Sequence, residues 1–314
     1  MTEQIDSEAA DVDAPVRIDP DTFPEDKRAL YDGVHAALAA LPVYFDFDNP
    51  IAGIDATDLH NLNTLMGAAI EVQVVETLNG IRSVWDPNRT WAEYSFVRSS
   101  QAFPDVRLAR RTPQGFEVIF GIELKGWFLL AKEGVPSLRY KVAPAACSPW
   151  DLVCVVPWYL SNAVAGKPQV GAPWVEQARY AAEWRDHWWQ NVRKPKNAND
   201  PTGVQVPADA APYPSKADLV SVVPEKDGGD NFGRLPRCRP LMDTFIEDSL
   251  HQPILGIAAT DWQTFLHIHS DNADGEAVLK KILAMDKTSK AQVEARAERL
   301  RGLLRDLATE FDFS

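Results

Sequence analysis

The segment from Phe116 to Leu130, FEVIFGIELKGWFLL, constrains this chain more than any other. Its apolar residues recur with a period of two, which predicts a long strand. Val118, Phe120, Ile122, Leu124 and Phe128 fall on one face, which is wholly apolar. Ile119, Gly121, Glu123, Lys125 and Trp127 fall on the other. A strand this apolar on both faces belongs in the middle of a sheet. An acid and a base two residues apart on it share a face. Such groups are costly to bury unless they are paired, hydrated or bound to a metal.

The flanking sequence supplies the rest of a sheet. Trp91–Val97 and Val106–Ala109 also alternate, and Thr112-Pro113-Gln114-Gly115 predicts a hairpin turn into the long strand. Asp151–Leu160 is a further apolar strand candidate. Helices are predicted over 24–41, with Pro24 and two acids in the first turn and a stop before Pro42. A second runs from an N-cap at Thr57 to Leu78, before the Asn79-Gly80 stop, with Leu62, Leu65, Met66, Ala69, Ile70 and Gln73 on its packed face. Residues 142–224 hold eleven of the 23 prolines and read as loops around one aromatic helix, Trp174–Val192. Residues 253–270 offer one or two strands, and 276–285 and 288–307 two closing helices. The pattern predicts an α/β (α+β) fold, a mixed sheet flanked by helices with loop-rich insertions.

The predicted hairpin also makes neighbours of Asp105 and Glu123, 18 positions apart, with Lys125 beside them. Two carboxylates and an ammonium on one patch suit metal-assisted phosphodiester hydrolysis. Hard oxygen ligands hold magnesium, and the ammonium orients or activates a water. Glu71, on the preceding helix among small residues, is a fourth candidate. A surface ion pair between Glu123 and Lys125, with Asp105 opening a turn, is the plainer alternative.

Pro104-Asp105 followed by Glu123-Leu124-Lys125 resembles the PD-(D/E)XK nuclease superfamily, and Glu71 matches an acid that many members carry on the preceding helix. The match spans about residues 62–130. The resemblance implies a restriction-endonuclease-like mixed sheet and magnesium-dependent cleavage of double-stranded DNA. It implies Asp105 and Glu123 as metal ligands, Lys125 in water activation and Glu71 as an accessory ligand or orienting group. The absence of a GxxxxGK[ST] motif leaves no ATP-driven motor in the sequence, so within the superfamily the chain looks most like a type II restriction endonuclease. That subtype implies a homodimer and a cognate DNA methyltransferase acting on the same site. A DNA-repair or junction-resolving nuclease and a non-catalytic DNA-binding or regulatory protein are the alternatives.

Charge bears on this reading. The chain carries 32 basic and 45 acidic residues, a net −13 that disfavours a nucleic-acid partner at first sight. Nine of the acids, against Arg17 alone, lie in residues 1–26. Residues 1–23 therefore read as a disordered acidic tail, either solubilising or a DNA-mimicking arm, ahead of a single nuclease domain over 24–314. Its catalytic core is placed in about 57–160, and recognition and dimerisation elements in about 161–314. From Arg98 to Lys141 the sign reverses, with eight bases against four acids.

Further DNA contacts are expected from Arg193, Lys194 and Lys196, and from a flexible glycine-rich loop with Asn231, Arg234, Arg237 and Arg239. Tyr180, Trp184 and Trp188 share one helical face and read as core or interface. His267-Ile268-His269 would place two imidazoles on one strand face, without a third zinc ligand nearby. Cys147, Cys154 and Cys238 have no CxxC spacing, and they fit a reducing cytoplasm. No membrane span or secretory signal is read.

Overall fold

The computed structural model describes residues 14–52, 62–99, 103–193, 203–214, 221–224 and 231–270. The chain divides into two compact units, Met1–Gln263 and Thr264–Ser314. The first is a mixed α/β unit built on one sheet. Its elements are α1 (Glu25–Ala39), α2 (Leu41–Tyr44), α3 (Leu62–Gly80), α4 (Arg82–Trp85), β1 (Ser95–Arg98), β2 (Val106–Thr112) and β3 (Gly115–Phe128). Then come β4 (Leu152–Leu160), β5 (Pro168–Val170), β6 (Trp174–Gln177), α5 (Ala178–His187), a π-helical turn (Trp188–Val192), β7 (Val204–Gln205) and β8 (Val223–Pro224). The last are α6 (Asp243–His251), β9 (Pro253–Ile254) and β10 (Ile257–Ala258), and α7 (Ala259–Ser270) runs from the first unit into the second. Among the described residues no helix is long and apolar enough to cross a membrane.

The long apolar segment forms the central strand, as its periodicity predicts. β3 pairs antiparallel with β2, from Val106↔Ile122 to Thr112↔Gly115, across the Pro113-Gln114 turn. On its other side it runs parallel to β4, from Ile122↔Leu152 to Phe128↔Trp158. β1 extends the sheet beyond β2, and β5 and β6 pair with successive halves of β4. Being central, β3 and β4 bury Phe120, Ile122, Leu124, Trp127, Phe128 and the run Leu152–Val156.

α3 packs on β3 and β1, and α1 packs on α4 through a narrow apolar stripe. α1 buries Leu30, Val34, Ala37 and Leu38, the i, i+4, i+7, i+8 stripe of an amphipathic helix. α3 buries Leu62, Ile70, Val74, Val75 and Leu78, whereas Gln73, placed on its packed face from the sequence, is half-buried. Asn79 stitches the end of α3 to β1. Its amide donates to the Phe96 carbonyl and accepts from the Phe96 N–H, both at 2.9 Å. Such a pairing satisfies an edge-strand backbone as another strand would.

Several boundaries differ from the sequence reading. Trp91–Tyr94 is a turn, held by Trp91 N–H bonds to Asp86, so β1 begins only at Ser95. Pro42 does not end α1 cleanly; it sits in the first turn of α2, where a missing N–H costs nothing. Trp174–Gln177 is strand rather than helix, because the edge of β4 offers it four backbone partners. Residues 259–270 are helical, so the strand spacing that put His267 and His269 on one face does not apply there. The Thr57 cap and the helices expected over 276–285 and 288–307 lie outside the described residues.

Part of the stretch read as a disordered acidic tail, residues 14–23, lies within the described residues. Residues 14–23 lie against the body. Arg17 makes a 2.7 Å ion pair with Glu176 and stacks 4.4 Å from the Tyr180 ring. Ile18 exchanges two backbone hydrogen bonds with the Gln177 side chain. Arg17 and Ile18 thus hold residues 14–23 to β6 and α5.

Gly121 shows how tightly the sheet is covered near the catalytic candidates. A Cβ there would stand 2.5 Å from Pro104 Cγ and 3.1 Å from Asp151 Oδ1. Neither neighbour is a flexible chain end. Gly121→Ala is therefore expected to destabilise the protein by about 1–3 kcal/mol, read as a lower thermal midpoint. An unchanged midpoint would mean that Pro104 does not pack on β3 as described.

Candidate active site

The site is assembled by register. β2 begins at Val106 opposite Ile122, so Asp105, just before it, arrives beside Glu123. The Asp105 N–H donates to Glu123 Oε2 at 3.3 Å. The neighbourhood read from the sequence is thus observed. Lys125 follows two positions along the same face of β3, and Glu123 and Lys125 are both half-buried. The Asp105 carbonyl accepts from the Ser99 N–H at 2.6 Å, which carries the β1–β2 pairing up to the site.

Glu71 lies on α3, the helix expected for it, and is engaged by an arginine. Its Oε2 lies 2.8 Å from Arg98 Nη2 at the end of β1. Among the described residues no group of three His, Cys, Asp or Glu side chains has metal-holding geometry. Glu71 therefore does not close a three-acid ligand set here. It is held by an arginine beside an Asp–Glu pair.

Electrostatics mark that pair as strained. Burial pushes the Glu123 carboxyl up to about 8, and the charge of Asp105 adds to the rise. Burial also raises Asp105 to about 6, helped by Glu71. Arg98 and Lys125 pull Asp105 in the opposite direction, and Lys125 does the same for Glu123, without prevailing. Two adjacent acids whose nearby cations do not offset their burial are chemically suited to a divalent cation with oxygen ligands. Asp105 and Glu123 fit magnesium in this sense, and Glu71 fits an orienting role through Arg98.

Three neighbouring residues escaped the sequence reading. Arg98 could have been found by extending the hairpin logic one strand back, since it pairs with Val106. Arg107 pairs with Gly121 and so shares the face of Glu123 and Lys125. Its guanidinium donates to the carbonyls of Phe103 at 2.6 Å and Pro214 at 3.2 Å. Asp151 is buried beneath Gly121, where it accepts from the Gly121 and Ser148 N–H groups, each at 2.7 Å, and from the Tyr213 hydroxyl at 2.8 Å. Burial raises its carboxyl to about 7 despite these three donors. The lone acid ahead of the apolar run Leu152–Val156 was its only signal.

Arg193 stacks 3.8 Å from the Trp189 ring, while Lys194 and Lys196 lie outside the described residues. Arg239 approaches Asp243 at 3.7 Å. Arg237 donates to the Asn231 side chain. The loop expected to be flexible is anchored from Asn231 onward, because Phe232 is buried against Ala143, Trp189 and Val222. Trp189 of the aromatic segment thus belongs to a core cluster. Trp184 donates its indole N–H to the Cys238 carbonyl at 2.9 Å. All three cysteines are buried free thiols.

Removing one of the paired charges gives a direct test. A carboxyl whose folded pKa is raised binds more protons in the native state, so stability falls as pH climbs from its ordinary range to the raised value. Without metal, the thermal midpoint should fall between about pH 5 and 8. Glu123→Gln should flatten that fall and raise the midpoint at pH 8.5 by about 2–4 °C or more. A lower midpoint for Glu123→Gln at that pH would show that the pair stabilises the fold instead.

Compared with protein-family models, curated proteins and solved structures, the chain shows no significant match.

Proposed function

We propose that the chain is a magnesium-dependent endonuclease hydrolysing phosphodiester bonds of double-stranded DNA, of the type II restriction kind. Asp105 and Glu123 would hold the metal, in a homodimer partnered by a methyltransferase of the same specificity. One observation carries the reading. Asp105, at the start of β2, meets Glu123 of the central strand, with Lys125 on the same face, and burial holds both carboxyls above their ordinary range. The resemblance of Pro104-Asp105 and Glu123-Leu124-Lys125 to the PD-(D/E)XK pattern supports the same chemistry.

Bound magnesium supplies charge neutralisation at the scissile phosphate and a more acidic water. The chain's own groups set the rest. Asp105 is fixed through its backbone, by the Ser99 N–H on one side and the Glu123 carboxylate on the other. Lys125 projects its ammonium from the same strand, where it orients the attacking water and offsets charge gathering on the phosphate. Glu71 holds Arg98 beside the pair, which limits the mutual repulsion of the acids. Arg107 adds a second fixed cation to the face that meets the substrate.

Purified protein should convert supercoiled plasmid to discrete linear fragments with magnesium and leave it intact with EDTA. Asp105→Ala, Glu123→Ala and Lys125→Ala should each slow cleavage by about 100-fold or more. Cleavage confined to branched or damaged DNA would assign the site to repair. Undiminished cleavage by these variants would place the active site elsewhere, and salt-sensitive DNA binding without turnover would make the protein a non-catalytic DNA binder.

A further inference from the structure

We propose that Arg98 is the resident counter-ion of the carboxylate pair, competing with the divalent cation for Asp105 and so setting how readily the site takes the metal. The inference rests on the reading of Asp105 and Glu123 as a cation seat, and adds to it a residue outside the motif. Arg98 closes β1 opposite Val106, and the next residue, Ser99, donates its N–H to the Asp105 carbonyl at 2.6 Å. Arg98 and Asp105 therefore stand at the same end of the β1–β2 ladder. Of the two cations that pull the Asp105 carboxyl down, Arg98 has the larger effect, ahead of Lys125.

The fold fixes the guanidinium through α3. Glu71 Oε2 accepts from Arg98 Nη2 at 2.8 Å. The helix packs on β1 as well as on β3, and about two turns along it Asn79 bonds both backbone groups of Phe96. Helix and strand are thus locked together beside the ion pair. Its two members are unequally covered, the Glu71 side chain being 12% exposed and that of Arg98 35%. The anchor is shielded, whereas the cation keeps a third of its surface in solvent and can turn aside by side-chain rotation alone.

Charge decides what Arg98 does to a metal. An arginine stays protonated at any working pH, so it cannot make way for a second cation by losing its proton. A divalent ion seated on Asp105 meets the guanidinium charge at close range, and like charges at one site oppose each other. Asp105 and Glu123 can give their charge to Arg98 and Lys125 or to a metal, but not fully to both. A partly exposed ion pair is worth little, so the Glu71–Arg98 contact opens at small cost and the competition stays reversible. Arg98 therefore steadies the metal-free fold and weakens metal binding through the same charge.

Calorimetric titration of magnesium into the metal-free full chain, without DNA, tests the proposal. Arg98→Gln should bind magnesium about tenfold or more tighter than wild type. Arg98→Lys keeps the charge and should stay near wild type. Adding Glu123→Gln to Arg98→Gln should abolish the gain, which locates the effect at the pair. Thermal midpoints establish that each variant is folded and give a second reading. Arg98→Gln should melt below wild type in EDTA, and magnesium should raise its midpoint by more than it raises that of wild type. A merely structural role would lower the midpoint equally with and without magnesium. Arg98→Met, equally neutral, takes the place of Arg98→Gln should the latter not fold. Binding by Arg98→Gln that equals or falls below that of wild type overturns the proposal and leaves the cation seat standing. A gain that Arg98→Lys shares in full, or that survives Glu123→Gln, also overturns it. Absence of magnesium binding in both wild type and Arg98→Gln overturns the cation seat as well.

Discussion

Glu123 is a carboxylate on the central strand of a sheet, and the region around it is organised by that placement. β3 cannot move it to solvent without turning Phe120, Ile122 and Leu124 outward, because side chains alternate strictly along a strand. Register with β2 then brings Asp105 against it, doubling the acid rather than relieving it. Lys125 and Arg98 answer that charge in part. Strain of this kind is typical of functional positions, where electrostatic fitness for chemistry outweighs stability.

The supporting structure fixes the pair from the opposite side of the chain. Pro104 rests on Gly121, whose N–H is held by the buried Asp151, and Asp151 is in turn bonded to Ser148 and Tyr213. Residues far apart in sequence thus converge on the two peptide units that carry Asp105 and Glu123. Rigid placement of both acids follows from packing, with few degrees of freedom left to order on binding.

Much of this was legible in the sequence wherever one periodicity acted alone. Phe116–Leu130 alternates over a long run, so its strand, its hairpin partner and the meeting of Asp105 with Glu123 could all be read from spacing. Reading failed where tertiary partners override local pattern. Trp174–Gln177 looks helical beside Tyr180 and Trp184, yet the free edge of β4 draws it into the sheet. The glycine-rich loop near Gly233 reads as flexible until the burial of Phe232 is known. Glu71 was placed correctly on its helix, but its engagement by Arg98 depends on where β1 ends. Asp151 and Arg107 carry no motif, and only strand register reveals them.

The net charge is consistent with this picture once it is located. Arg17, at the described end of the acidic N-terminal stretch, is paired with Glu176, while the middle of the chain, from Arg98 to Lys141, is locally positive and contains Asp105, Glu123 and Lys125. The paired acids are the part of the negative charge that needs a counter-ion most. Calorimetric titration of magnesium into the metal-free protein measures that need directly. If Asp105 and Glu123 are a cation seat, wild type binds magnesium saturably and Glu123→Gln does not. Equal binding by the two proteins, or none by wild type, would contradict it.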